Sequence, residues 1–397
     1  MRVVGEAPGT LRTAGHDRPS RYLLLTGAKL NGGDFLIGQR SRELLSALRP
    51  GAELRAHDRW QPLAADMVEW ADALLLCGGP ALQPAVWPDV YPLLPSLDDI
   101  GPPIIGLGLG WKGTPGDVWT ERTYRFSRSG RRLLRRLGHD GWPVSCRDAA
   151  TERVLRRCGV ARTVLTGDPA WFEREHVGRP FEAPGRLDHC IVSMPASPMF
   201  FPQAVDLLRA LHARHAPGRL LAGFNHGWRQ GEHLDTRRAA AYRRLRSAVT
   251  ELGVECVDAS GEAGRLLELA DACDLHVGYR LHTHLLFLGR RKPSLLLEED
   301  GRGSAAAEAL GLPGVRAWRR AALADAVLPA VSLAGRAGLP ALRRIQARMR
   351  ADGDATARMM EALHRHESEG FAAFESVARR IDQTYECGMR PFVESLP

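Results

Sequence analysis

Arg280 and His282 are the pair in this chain best suited to carry chemistry. They fall in ADACDLHVGYRLHTHLLFLGRRKPSLLLEED, residues 270–300, just after the apolar run of Leu275 and Val277. A guanidinium there can hold an anion, and an imidazole beside it can take up or release a proton near neutral pH. Gly278 ends the apolar run, and Thr283 to Leu288 is predicted as a helix that Gly289 closes. In an open α/β sheet, ligands bind outside the carboxyl ends of the strands, which is where both side chains would project. His284 lies two residues after His282 and should face another way, so the two are not expected to share a metal.

Four other segments put chemically useful residues at strand ends. Asn31, Gly32, Gly33 and Asp34 stand between the first strand and the first helix, where amides and a helix N-terminus favour an anion. A plain turn with Asp34 as N-cap is an equal alternative. Gly106, Gly108, Gly110 and Gly113 surround Lys112 in a second glycine-rich loop, either a backbone cradle near substrate or a tight turn. No acidic residue closes the βαβ unit that a dinucleotide fingerprint requires, which argues against NAD. Arg147 can fork onto a carboxylate or phosphate, Asp148 can cap the following helix, and Asp168 precedes Pro169 in a turn. Asn225, His226, Glu232, His233 and Asp235 form a polar loop whose spacing matches no standard metal-ligand set. Asn31, Asp34, Gly108, Lys112, Arg147, Asp168 and His226 are therefore candidate substrate contacts, and no metal is expected.

The elements that position these loops alternate. Strands are predicted at Tyr22 to Thr26, Ala73 to Leu76, Ile104 to Leu107 and Arg162 to Leu165, with helices near 35–48 and 148–157. A second series runs from a strand at Cys190 to Met194 through helix 203–215, strand Leu220 to Phe224, helix 237–252, strand Val254 to Val257, helix 262–270 and strand Ser294 to Leu297. The fold class expected is α/β, with two Rossmann-like domains facing a cleft and a C-terminal helical segment packing across them. Residues 1–20 are read as a mobile tail, 21–178 as the first domain, 179–188 as a Pro/Gly-containing linker, 189–330 as the second domain and 331–397 as the helical segment. Residues 341–385 are predicted to be helical without further strands.

Composition narrows the class. The chain has 397 residues, 44% hydrophobic and 25% charged, which fits a soluble globular protein of more than one domain. The net charge of +8 is spread over both halves, so nucleic acid is not expected as a partner. Arg131, Arg132, Arg135 and Arg136 at helical spacing read first as a solvated helix face, with lipid headgroup contact as the lesser alternative. Seven cysteines lack CxxC or zinc spacing, which fits a reducing cytoplasm. No signal peptide and no apolar run of membrane-spanning length is evident, so a cytoplasmic location is expected.

Taken in order, NGGD at 31–34, the glycine loop at 106–110, SCRDAATERVLRRCGV at 145–160, TGDPAW at 166–171 and GYRLHTHLLFLG at 278–289 resemble the polysaccharide pyruvyl transferase family. The resemblance implies a fold similar to GT-B glycosyltransferases. It implies transfer of a pyruvyl group from phosphoenolpyruvate, as donor substrate and without a cofactor, onto two hydroxyls of a sugar or glycan acceptor as a cyclic ketal. On this chain it makes His282 the acid/base group, with Arg280 beside it in the reacting centre. Arg280 and Arg147 would bind donor anions, and Arg302 would add a phosphate contact where the family often has a lysine. A lipid-linked acceptor would bring the protein to the inner face of a membrane. Two departures stand out: Met194 and Pro195 where the family often has an arginine, and Glu298 and Glu299 ahead of Asp300. The competing expectations are a GT-B glycosyltransferase using a nucleotide sugar, and a non-catalytic glycan- or anion-binding relative.

Overall fold

The computed structural model describes residues 18–27, 29–215, 219–229, 234–320 and 348–397. The first domain contains strands β1 (Arg21–Thr26), β2 (Glu53–Asp58), β3 (Ala73–Cys77), β4 (Ile104–Leu107), β5 (Val144–Cys146) and β6 (Thr163–Leu165). Its main helices are α1 (Gly32–Leu48), α2 (Ala65–Trp70), α3 (Val118–Thr123), α4 (Arg128–His139) and α5 (Ala149–Arg157). The sheet is parallel in the order β2-β1-β3-β4, and a parallel bridge from Leu109 to Cys146 joins it to the β5-β6 pair. β1 and β3 are apolar on both faces because helices cover both. The edge strand β2, ELRAHD, is mostly exposed and escapes the sequence pattern because it buries no continuous face.

The second domain contains β7 (His189–Ser193), β8 (Arg219–Phe224), β9 (Glu255–Asp258), β10 (Leu275–Gly278), β11 (Ser294–Glu298) and β12 (Val315–Arg316). They form one parallel sheet in the order β12-β11-β10-β7-β8-β9, so the strand order reverses between β7 and β10. That switch point is where an α/β sheet opens a crevice. The helices are α6 (Phe201–His215), α7 (Thr236–Glu251), α8 (Gly264–Ala272), α9 (Leu281–Gly289) and α10 (Gly301–Leu310). The fold is α/β with two Rossmann-like domains in a GT-B-like arrangement.

Helix α9 differs from expectation in a way that matters. It starts at Leu281, not Thr283, so Arg280 is its N-cap position and His282 lies in its first turn. All nine of its residues are buried, as a helix apolar on every side must be. Leu281, Leu285 and Leu288 join the core beneath the first sheet, while Leu286 and Phe287 pack with Leu36 and Ile37 of α1.

An antiparallel pair, β13 (Trp318–Arg320) with β14 (Met349–Ala351), closes the second domain. β14 corrects the expectation of strand-free helix over 341–385; three residues paired at an edge leave too short a pattern to detect. Helix α11 (Ala355–Ser368) packs on the second domain through Met359 and Leu363. Helices α12 (Ala373–Thr384) and α13 (Arg390–Glu394) then cross to the first domain, where Phe374, Ile381 and Phe392 meet Tyr22, Leu24 and Leu44. Arg49 donates to the carbonyls of Glu394 (2.9 Å) and Pro397 (3.1 Å), fastening the end of the chain. Segment 179–188 has no helix or strand; Phe181 stacks on Phe374 of α12 at a centroid distance of 5.5 Å. Of the expected tail, residues 1–17 lie outside the described residues, as do the expected boundary at 330 and residues 331–347 of the helical segment.

Glu173 pins the two domains electrostatically. Its carboxylate lies 2.8 Å from Arg40 of α1 and accepts from Arg290, just beyond α9, at 2.7 and 3.0 Å. Burial would raise its pKa, but Arg290 and Arg40 outweigh burial and hold it below the ordinary value of 4.5. Glu173→Gln should therefore cost on the order of 3 kcal/mol of stability near neutral pH. A depressed pKa gives stability present above the unfolded value and lost as pH falls through the folded one. Melting curves of wild type and variant should thus draw together as pH falls below the ordinary carboxyl value; an equal gap at neutral and acid pH would mean the ion pairs do not hold the domains.

Candidate functional site

The site begins where β7 and β10 part. Gly278 has φ of 149°, and a Cβ on it would lie 2.6 Å from the Ser193 carbonyl oxygen, so glycine is required for β10 to turn across β7. The Tyr279 amide then donates to Ser193 O (3.1 Å) and the Arg280 amide to Ser193 Oγ (2.9 Å). Below them, His276 bonds Ser193 Oγ through Nε2 (2.8 Å) and Ser294 Oγ through Nδ1 (2.6 Å), and His284 Nδ1 bonds the same Ser294 hydroxyl (2.7 Å). Burial pushes both imidazoles toward the neutral form, His284 down to about 3. His284 is thus a buried prop of the sheet, turned away from His282.

So anchored, the Arg280 side chain crosses to the first domain and donates from Nη2 to Asn31 Oδ1 (3.1 Å). Its Nη1 lies 3.7 Å from Glu299 Oε2. Glu299, one of the departures from the family pattern, accepts from the amides of Ala196 (2.9 Å) and Ser197 (3.1 Å), in the loop that follows Met194 and Pro195. Burial raises its pKa, while Arg280 and the two amides oppose that rise. Glu299 therefore braces the loop after β7 and balances Arg280.

Arg147 and Asp168 approach from the first domain. Arg147 donates from Nε to Asp148 (3.0 Å) and from Nη2 to the Trp111 carbonyl (3.2 Å), while Asp148 caps α5 through the Thr151 amide (2.7 Å). Asp168 caps the turn Pro169–Trp171, its Oδ1 accepting from the Ala170 amide (3.0 Å). Its other oxygen, Oδ2, stands 3.6 Å from Arg147 Nη1 and 3.7 Å from His282 Nε2. Burial acts to raise the Asp168 pKa, but His282 and Arg147 hold it below the ordinary carboxyl value. Asp168 is 0% exposed, Arg147 3% and His282 4%, so this charge group is nearly sealed.

Five buried polar atoms here lack a hydrogen-bond partner among the described residues: Arg147 Nη1, Arg280 Nη1, Asp168 Oδ2, His282 Nε2 and Asn225 Oδ1. They come from the carboxyl ends of β5, β6, β8 and β10, and so from both domains. Buried polar groups are nearly always paired, and orphans gathered at one cleft mark a site for a polar ligand. In the sequence Asn225 stands out only as part of a loop; in the structure its amide nitrogen donates to Thr283 Oγ1 (3.1 Å) and its backbone carbonyl accepts from Gly32.

The glycine loop works by packing. The amide of Gly108 donates to Ser145 Oγ (2.7 Å), that of Gly110 to the Gly79 carbonyl (2.9 Å) and that of Trp111 to Thr151 Oγ1 (2.9 Å), which leaves no cradle of free amides at 108, 110 and 111. Instead, a Cβ on Gly110 would sit 2.2 Å from Arg147 Cζ, and one on Gly108 2.5 Å from Pro169 Cδ. These glycines admit the guanidinium and the turn that carries Asp168. Similarly, a Cβ on Gly33 would lie 2.6 Å from His282 Cβ and 2.7 Å from Nδ1. The N-cap of α1 is Asn31, whose Oδ1 accepts from Gly33, while Asp34 sits in the first turn.

The remaining candidates ring this centre. Lys112 reaches solvent and makes no ion pair among the described residues; partial desolvation by its neighbours and then Arg302 lower its pKa. Arg302 forks onto Asp300 at 2.7 to 3.1 Å. His226 lies over Tyr242 at a centroid distance of 6.3 Å, and burial followed by Arg280 drives its pKa well down. Glu232 and His233 of the same loop lie outside the described residues, and no metal-holding cluster of three occurs among the described ones.

Two α/β domains closing acidic, basic and titratable groups into one crevice define a cleft enzyme of the GT-B-like class. The profile of the family described as "Polysaccharide pyruvyl transferase" matches residues 31–301. The chain belongs to that family and is a glycan-modifying transferase. No curated protein matches it. Among solved structures it is similar to Staphylococcus aureus MnaA in complex with UDP, at 11% identity and a TM-score of 0.47, covering 88% of this chain and 97% of that one. It is also similar to the UDP-GlcNAc 2-epimerase of Neisseria meningitidis, at 10% identity and a TM-score of 0.47 over 92% and 98% of the two chains. A glycosyltransferase from Rickettsia africae aligns at 10% identity and a TM-score of 0.41 over 94% and 99%.

Because Gly110 makes room for Arg147, Gly110→Ala should destabilise the protein by about 1–3 kcal/mol through overpacking. Combined with Arg147→Ala, which removes the clashing atoms, the two costs should sum to less than their separate values. Strict additivity in denaturant titrations would mean that Arg147 is free to move away.

Proposed function

We propose that this protein transfers a pyruvyl group from phosphoenolpyruvate to two hydroxyls of one sugar, forming a cyclic ketal on a glycan precursor or glycosylated metabolite. The observation that carries the proposal is the convergence of Arg147, Arg280 and His282 on one buried cleft, each with an unpartnered polar nitrogen. The donor is a compact trianion with a carboxylate and a phosphate, and the two guanidiniums supply cations that keep their charge at any physiological pH. In the first step a sugar hydroxyl adds to C2 of the enol and loses its proton, while C3 gains one and becomes methyl. In the second step the other hydroxyl gives its proton to His282 and bonds to C2 as the C2–O bond to phosphate breaks, and the proton leaves with the inorganic phosphate. His282 is the proton carrier for these steps. The paired Arg302 and the uncommitted Lys112 add positive field for the departing phosphate.

Acceptor contacts are assigned to the part of the cleft around Asn31, Asp34, Asn225 and His226. We assign the reaction to the cytoplasm, where its donor is available, with a soluble or a membrane-carried acceptor. No helix among the described residues is long and apolar enough to cross a membrane.

Thermal unfolding of the purified protein with phosphoenolpyruvate, pyruvate, phosphate and a panel of nucleotide sugars tests the donor, because a ligand of the native state raises the melting temperature. Phosphoenolpyruvate should give a shift that Arg280→Lys diminishes, since a point charge cannot replace the fork. His282→Ala should keep the shift yet lower pyruvyl turnover on the order of 10²- to 10⁴-fold. A shift with nucleotide sugars alone would replace this proposal by glycosyl transfer.

A further inference from the structure

The pair Asp168 and His282 carries a consequence beyond charge balance. Nε2 of His282 and Oδ2 of Asp168 face each other at 3.7 Å, and both are buried and without a hydrogen-bond partner. At 3.7 Å the two atoms are too far apart for a good hydrogen bond, but a carboxylate that close attracts an N–H dipole and repels a ring lone pair, so a proton on Nε2 is the favoured state. The alternative tautomer would set a lone pair against a carboxylate that, despite its burial, the Arg147 guanidinium helps to keep ionised. The Asp168 carboxylate is itself firmly held, because its other oxygen accepts from the Ala170 amide at 3.0 Å and the Pro169–Trp171 turn sets its position.

With Nε2 turned inward, Nδ1 is the ring nitrogen left for substrate. It lies over Gly33, the residue at which a Cβ would come within 2.7 Å of it. A side chain at 33 would press on Nδ1, whereas glycine leaves room beside it at the N-terminus of α1.

We propose that Asp168 is a positioning residue that locks His282 in its Nε2–H tautomer, so that Nδ1 is the nitrogen that exchanges protons with substrate. Its effect on turnover rests on the pyruvyl-transfer proposal; the tautomer itself does not. When Nδ1 takes the sugar hydroxyl's proton, the imidazolium formed is stabilised by the Asp168 carboxylate, which stays ionised. The same proton then leaves from Nδ1 to C3 of the enol, and the neutral Nε2–H form returns.

Asp168→Asn is a sharp probe because the Ala170 amide needs an acceptor. That bond holds the amide oxygen in place of Oδ1 and puts the NH2 group where Oδ2 was. A donor facing Nε2 reverses the preference, and the proton moves to Nδ1. In nitrogen-15 spectra of ligand-free protein with labelled histidine, with His282 assigned by comparison with His282→Ala, wild type should show a protonated Nε2 and a bare Nδ1. Asp168→Asn should show the reverse, and turnover should fall on the order of 10²- to 10⁴-fold, the range lost with a general acid–base group. Asp168→Ala, with no donor or acceptor at that place, should release the ring to a mixture of both tautomers, with less Nε2–H than wild type. A bare Nε2 in wild type, or an Nε2–H tautomer retained in a folded Asp168→Asn variant, overturns the proposal. A bare Nε2 in wild type overturns the proposal even if the variants fail to fold. Since no donor is present, these outcomes are independent of whether phosphoenolpyruvate is the substrate.

Discussion

The complete burial of helix α9 is the constraint on which the rest of the structure depends. LHTHLLFLG offers no polar face to water, so the helix is stable only if both domains close over it. The first domain supplies α1 and the core beneath its sheet; the second supplies α8 and the strands on either side of β10. Burial of α9 therefore does more than add apolar area. It fixes the distance between the two sheets, and its N-terminus, with Arg280 and His282, becomes the meeting point of loops from both.

Placing a helix N-terminus and several guanidiniums in a closed cleft creates a desolvation problem, which the fold meets by local pairing. Arg280 faces Glu299 and Asn31, Arg147 faces Asp148 and Asp168, and Arg302 faces Asp300. Glu299 in turn is held by backbone amides, so it can stay near Arg280 without claiming it wholly. The separations of 3.6 to 3.7 Å at Asp168 and Glu299 are too wide for good hydrogen bonds. The cations are thus stabilised but not used up, which suits a site that must bind a strongly anionic ligand and release its product.

Much of this is legible in the order of residues alone. Apolar runs such as LLLT, ALLLC and SLLLE, each bounded by turn residues, fit buried parallel strands, and the alternation with helices sets the fold class. The motifs NGGD, SCRD, TGDP and YRLH announce the strand ends that meet in the cleft. What cannot be read is whatever a pattern of one strand cannot hold. β2 is polar because it is an edge, β14 is three residues long because it only closes a hairpin-like pair, and the start of α9 depends on how Gly278 crosses β7. The glycine loop is the clearest case: its spacing suggests an anion cradle, yet its amides pair with Ser145, Gly79 and Thr151, and its lack of Cβ atoms serves Arg147 and Pro169.

The sequence by itself determined much of the inventory: the strands and helices that bury a continuous face, which loops carry cations, and which imidazole follows a strand end. Only the tertiary structure decided that Asp168 stands between Arg147 and His282, that Asn31 bridges to Arg280 across the domains, and that Glu299 is a brace and not an intruder. Local periodicity is set by each segment's own buried face. The pairing of charges separated by a hundred residues or more depends on how two sheets are held together, and that is fixed by the packing of α9 between them.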